Sequence, residues 1–119
     1  MNMTDTVTIY HNPRCSKSRQ TMALLEQQNI TPTVVKYLDT PPDAATLQSI
    51  LDMLGLEPRQ LMRKGEAEYK ELALDNTGLT QEQLIQAMVE NPRLIERPIV
   101  IKNGKAALGR PPEQVLDIL

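Results

Sequence analysis

The sequence predicts an α/β fold in which helices cover a small mixed sheet. Three observations carry the prediction. A strand–helix–strand pattern fills about the first third of the 119 residues. Two short β-prone segments flank an Asn-Gly near the end, and a last helical stretch follows them. The region between these halves is helical in pattern but broken into pieces.

Residues 6–10 combine β-branched side chains with Tyr10 and predict a strand, which His11-Asn12-Pro13 ends. Strong helix formers and the spacing of Met22, Leu24 and Leu25 predict a helix over 16–28, so Cys15 falls in the loop that opens it. Asn29 and Thr31-Pro32 interrupt, and residues 33–38 predict a second strand. Thr40 is the expected cap of a helix with Pro41 and Pro42 in its first turn; Leu47, Ile50, Leu51 and Leu54 share one face and Gly55 closes it. Pro58 opens a short helix through Met62, and a further helical piece covers 67–72. Thr80 with Gln83 is a capping box, ahead of the apolar face of Leu84, Ile85 and Met88, and Asn91-Pro92 ends that helix. Residues 98–101 and 105–108 predict a hairpin whose turn is Lys102-Asn103 or Asn103-Gly104 according to register. Pro111 and Pro112 begin a final helix to Leu119.

Length suits one compact domain over 1–119. A 40% hydrophobic, 24% charged composition is that of an ordinary globular protein, which excludes disorder as the main reading. A net charge of -2 with three tyrosines and neither tryptophan nor phenylalanine gives no basis for nucleic-acid binding. No apolar run reaches the ~18 residues a membrane span needs, and the first ten residues lack an export pattern, so a cytoplasmic monomer without membrane contact is expected. One cysteine and one histidine allow neither an internal disulfide nor a cysteine/histidine zinc site. No metal and no tightly bound cofactor are expected, and redox chemistry must borrow a second thiol.

A lone cysteine is often inert packing. Cys15 differs because His11, Arg14, Lys17 and Arg19 lie within four residues and a helix start adds free backbone donors, all of which favour a thiolate. The same donors can hold an oxyanion against the sulfur. The residue six beyond Cys15 is Thr21, which removes the cysteine-x5-arginine cradle of low-molecular-weight tyrosine phosphatases; Ser18 removes a cysteine-x-x-cysteine dithiol. A monothiol route remains, in which Cys15 attacks and an outside thiol resolves the adduct. His11 is either a hydrogen-bonded structural side chain or an ion-pair partner of the thiolate. Arg63, Arg97 and Arg110 stand at turns or element ends; they are surface charges or a guanidinium clamp on a tetrahedral oxyanion.

Thr8-Ile9-Tyr10-His11-Asn12-Pro13-Arg14-Cys15 followed by Ser18-Arg19 resembles the glutaredoxin-coupled arsenate reductase family of thioredoxin-like fold, in particular its shorter bacterial members. Tyr37-Leu38-Asp39-Thr40-Pro41-Pro42, Leu61-Met62-Arg63-Lys64, Tyr69-Lys70-Glu71-Leu72, Glu96-Arg97-Pro98-Ile99-Val100 and Gly109-Arg110-Pro111 agree with the same pattern in order, over nearly the whole chain. The resemblance implies a thioredoxin-like β-α-β and β-β-α core on a small mixed sheet, with a helical insertion over about 41–95. It implies Cys15 as the nucleophile that takes arsenic, with His11 lowering its pKa. It further implies that Arg63, Arg97 and Arg110, with Ser18, bind the oxyanion, and that Pro98 is a cis-proline beside the cysteine.

The implied reaction is reduction of arsenate to arsenite, with glutathione as co-substrate and glutaredoxin as the partner that completes it. Two other readings use the same cysteine differently. One is a glutathione-dependent thiol oxidoreductase acting on another substrate; the other is a polymerase-binding regulatory module, whose relatives use a cysteine-x-x-cysteine switch that Ser18 precludes.

Overall fold

A computed structural model of the chain describes residues 6–119; the first five residues of the expected 1–119 domain lie outside the description. Two compact units are present, one built from the chain up to Thr40 together with Arg97–Leu119, the other from Pro41–Glu96.

The first unit is the thioredoxin-like core. It comprises β1 (Val7–Tyr10), α1 (Ser16–Gln27), β2 (Thr33–Val35), β3 (Ile99–Lys102), β4 (Lys105–Leu108) and a 3-10 helix over Pro112–Ile118. The sheet order is β2-β1-β3-β4, with β1 parallel to β2 and antiparallel to β3, and β3 antiparallel to β4. β1 is thus an inner strand, and the alternate residues Val7 and Ile9 enter a core completed by Leu25, Val100 and Val115. The hairpin register pairs Lys102 with Lys105, so Asn103-Gly104 is the turn. Both residues have positive φ, 51° and 76°, the tight geometry that Asn-Gly supplies at low steric cost.

Two expectations are corrected in this unit. The second strand stops at Val35 instead of running to Leu38, because the Lys36 carbonyl accepts both Asp39 N–H and Thr40 N–H at 2.9 Å and turns the chain out of the sheet. The last helix begins at Pro112 and is 3-10, with Pro111 as its cap.

The second unit is helical throughout: α2 (Ala44–Leu54), a 3-10 turn at Pro58–Leu61, α3 (Ala67–Glu71), α4 (Gln81–Glu90) and a 3-10 turn at Pro92–Leu94. α2 packs on α4, burying Leu47, Ile50 and Leu51 from one and Leu84, Ile85 and Met88 from the other. An isolated antiparallel bridge joins Met62 to Ile95 near the unit's C-terminal end. The Thr80–Gln83 capping box forms as expected, and Gly55 ends α2 at φ 68°. The cap of α2, however, is Asp43 and not Thr40: its carboxylate accepts Thr46 N–H at 2.8 Å. A residue before proline is pushed out of the helical region, which disfavours Thr40 and Pro41 as helical residues, and the helix starts after Pro42.

Among the described residues no helix is long and apolar enough to cross a membrane.

Gly109 marks the tightest packing. Its N–H donates to Pro98 O at 3.0 Å, and a Cβ there would collide with Thr21 Oγ1 and come within 2.7 Å of Pro98 Cγ. Gly109→Ala is therefore expected to lower stability by about 1–3 kcal/mol, the usual cost of overpacking, measured as a shift in the urea midpoint. An unchanged midpoint would show that α1 and the Pro98 segment can separate freely.

Candidate active site

Cys15 takes the cap position of α1, with extended backbone (φ -93°, ψ 125°), so the first helical N–H groups converge on its side chain. The path to it starts from the sheet. His11 N–H donates to Val35 O at 2.9 Å, extending the β1–β2 ladder by one bond, and the chain then leaves the sheet into the loop 11–15. Asn12 shapes that loop: its carbonyl accepts Cys15 N–H at 3.0 Å, its side-chain oxygen accepts Arg14 N–H at 3.0 Å, and its N–H donates to Ser18 Oγ at 3.0 Å. Arg19 Nη1 donates to Pro13 O at 3.1 Å, tying α1 back to the loop.

The thiol is 9% exposed. Burial pushes its pKa up, but the Ser18 backbone N–H, the Arg97 charge, the Lys17 backbone N–H and a hydrogen bond from Arg97 outweigh it, and the net result lies below the ordinary 9.0. Arg97 is likewise 9% exposed and comes from the other end of the unit, directly before the cis bond to Pro98. Arg110 Nη1 donates to the Arg97 carbonyl at 3.3 Å and stands before a second cis bond, to Pro111. Cys15 and Arg97 are thus brought together, with Arg110 on the Arg97 backbone.

Ser18 and His11 share one hydrogen-bond network. Ser18 is fully buried, and its hydroxyl is committed to His11 Nδ1 at 2.6 Å and to Asn12 N–H. What it offers the thiol is its backbone N–H. His11 is held below its ordinary 6.5 by burial first and by the Lys36 charge second. Ser18 Oγ accepts from Asn12 N–H, and the direction of its bond with His11 Nδ1 is set by the histidine tautomer.

Arg63 lies in the helical unit, where its guanidinium bridges Glu66 at 2.5 Å and Glu96 at 3.6 Å. Glu66 is shared with Arg93 at 3.0 Å. The bridge beside Met62–Ile95 is reinforced by Arg63 N–H to Leu94 O at 2.7 Å. Sequence reasoning named Cys15 and the arginines but missed Asn12 and Lys36; the Asn-Pro step was the available signal for Asn12, since asparagine organises turns through its side-chain oxygen. Among the described residues no cluster of three or more His, Cys, Asp or Glu side chains is set to hold a metal.

The model of the ArsC family matches residues 10–118. A protein of Escherichia coli strain K12, named only as uncharacterized protein YfgD, is 60% identical over 118 residues, covering 98% of this chain and 99% of its own. An arsenate reductase of Neisseria meningitidis is 52% identical over 114 residues, covering 95% and 97%. A solved structure described as an arsenate reductase from Vibrio cholerae superposes with a TM-score of 0.95 at 56% identity, covering 97% of this chain and 98% of that one.

Two outcomes follow from the electrostatics. The rate of Cys15 alkylation by iodoacetamide should rise with pH to a midpoint below 9.0, and Arg97→Ala should move that midpoint up; an unmoved midpoint would leave the backbone donors as the sole cause. A histidine whose folded pKa is lowered contributes stability that is fully present above about pH 6.5 and lost as pH falls through the folded value. Urea unfolding at pH 7.5 and 5 should therefore show a loss at pH 5 that is smaller in His11→Asn; equal losses would mean that other groups carry it.

Proposed function

The chain belongs to the ArsC family, and from that membership we propose that it reduces arsenate to arsenite, with Cys15 as nucleophile, glutathione as co-substrate and glutaredoxin as electron donor. The observation that carries the reading is the coupling of a lowered thiol pKa with donors aimed at the same point: the Ser18 and Lys17 N–H groups and the Arg97 guanidinium. Such an array favours a thiolate before substrate arrives and favours negative oxygen as the sulfur attacks.

In the proposed sequence the Cys15 thiolate attacks As(V) and displaces one oxygen as water. A glutathione thiolate displaces a second oxygen, leaving arsenic between two sulfurs. The glutaredoxin thiolate then attacks the glutathione sulfur and breaks its bond to arsenic. That electron pair stays on arsenic, which becomes As(III), and the two departing sulfurs leave as a mixed disulfide. Hydrolysis frees arsenite and restores Cys15. Ser18 in place of a second cysteine supports this route, because the chain has no other thiol to resolve the adduct. Arg97 stabilises the thiolate and the oxyanion, Arg110 holds the Arg97 carbonyl, and Arg63 is the third oxyanion-binding guanidinium carried by the family resemblance. His11 and Ser18 fix the loop. The enzyme works as a cytoplasmic monomer, where glutathione is plentiful, and needs no tightly bound cofactor.

The test is arsenite formation by the purified chain with glutathione, glutaredoxin, glutathione reductase and NADPH. Turnover should require Cys15 and glutaredoxin, Cys15→Ser should abolish it with the fold intact, and Arg97→Lys should lower kcat roughly a hundredfold despite keeping the charge. Arsenite formation by Cys15→Ser sinks the nucleophile assignment. Reduction of glutathione mixed disulfides with no arsenite formed would replace the reading by thiol transfer.

A further inference from the structure

Charged side chains of the helical unit alternate in sign along a series of ion pairs, in the order Glu68, Arg93, Glu66, Arg63, Glu96. Glu66 stands at the centre. Its Oε1 accepts from Arg63 Nη1 at 2.5 Å, and its Oε2 accepts from Arg93 Nη2 at 3.0 Å. The backbone repeats the first of these links, because Glu66 N–H donates to Arg63 O at 3.2 Å across the turn at Gly65.

An arginine grips a tetrahedral oxyanion with two nitrogens of one edge of its fork, either Nη1 with Nη2 or Nε with Nη2. Both edges of Arg63 carry a carboxylate. Glu66 Oε1 sits on Nη1, and Glu96 Oε1 lies 3.6 Å from Nε. An oxyanion arriving on either edge brings its oxygens beside a negative oxygen already there, and like charges repel at such range. A two-nitrogen grip therefore requires a carboxylate to give way.

Glu66 can do so at low cost. Its Oε2 is already held by Arg93, so leaving Arg63 strands no carboxylate without a partner. Arg93 is in turn steadied by Glu68, whose Oε2 lies 3.8 Å from its Nη1. Glu66 also caps α3, a helix in which no residue is buried, so a small shift of that backbone disturbs no core packing.

We propose that Glu66 is a positioning residue that acts through Arg63: it competes with the oxyanion for the guanidinium and passes to Arg93 when the oxyanion binds. The proposal rests on the reading of Arg63 as an oxyanion-binding residue. Until the anion arrives, the charge of Arg63 is neutralised inside its own unit. An anion bound there is held less tightly, and leaves more easily, than an unopposed guanidinium would allow.

Anion binding is read in two ways, one of which needs no turnover. Inorganic phosphate at fixed ionic strength should protect Cys15 from iodoacetamide, and the half-protecting concentration measures its affinity. Glu66→Gln should lower that concentration about threefold to fivefold, the size expected for a partly exposed ion pair. Arg93→Ala leaves Glu66 wholly to Arg63 and should raise it about twofold to threefold. In an Arg63→Ala chain both effects should disappear, as a double-mutant cycle requires of residues that act through Arg63, whereas a general effect of changed net charge would persist. In the arsenate assay the same two substitutions should move KM in the same directions and leave kcat within about twofold.

A higher half-protecting concentration in Glu66→Gln overturns the proposal, because the carboxylate would then be supporting Arg63 and not competing for it. So does survival of either effect in the Arg63→Ala chain, or an unchanged constant in both single variants. No protection of the unaltered chain, or equal protection in Arg63→Ala, takes Arg63 out of anion binding and overturns it too. The Arg93 side chain is 64% exposed, so its substitution carries the test if Glu66→Gln fails to fold. Absence of arsenite formation with the phosphate pattern intact removes the reductase reading and leaves the competition standing; Cys15-dependent turnover with KM unmoved in both variants does the reverse.

Discussion

Burial by itself would keep the Cys15 thiol protonated and inert, and the first unit is arranged to overcome that single cost. The inner strand β1 delivers the chain to a loop that Asn12 closes on itself, and the loop sets Cys15 at the head of α1. There the thiol meets the N–H groups of Lys17 and Ser18, which no intrahelical carbonyl can use. Backbone donors need no side-chain entropy to hold in place, so their contribution is available before any ligand binds. Arg97 adds a full charge from the segment that leads into β3. Close packing of Gly109 between Thr21 and Pro98 keeps that segment against α1, and so keeps the guanidinium near the sulfur.

The other arginines are used differently. Arg110 binds the Arg97 backbone, so its first effect is on the position of a neighbour. Arg63 is clasped by Glu66 and Glu96, and Glu66 is in turn shared with Arg93. The forked guanidinium makes both kinds of arrangement possible, since it presents several donors in one plane where an ammonium presents a point charge. His11 follows a similar logic. It is buried and bound to Ser18, so it ties the loop to α1 by a hydrogen bond.

Much of this was legible wherever the signal is local. The Asn103-Gly104 turn, the Thr80–Gln83 box, Gly55 and the Leu47–Ile50–Leu51 face each depend on a few neighbouring residues, and each forms. The end of β2 was hidden because the bonds that stop it are backbone to backbone and leave no residue signature. The cap of α2 was misplaced because threonine and aspartate are both good caps, and the pre-proline restriction decides between them. At the site, the sequence points to the basic residues around Cys15, but the groups that lower its pKa are two backbone N–H groups and an arginine from the far end of the chain. No spacing rule reports an approach across that much sequence.

The burial of Ser18 where a second sulfur could have stood has a cost in oxidising conditions. A thiol whose pKa is lowered is more readily oxidised by peroxide, giving a sulfenic acid. Dithiol enzymes cap that species at once by forming an internal disulfide. This chain has no sulfur to do so, and the step from sulfenic to sulfinic acid is ordinarily irreversible. Survival of Cys15 under oxidative stress is then a race that an outside thiol must win, by capping the sulfenic acid before a second peroxide reaches it.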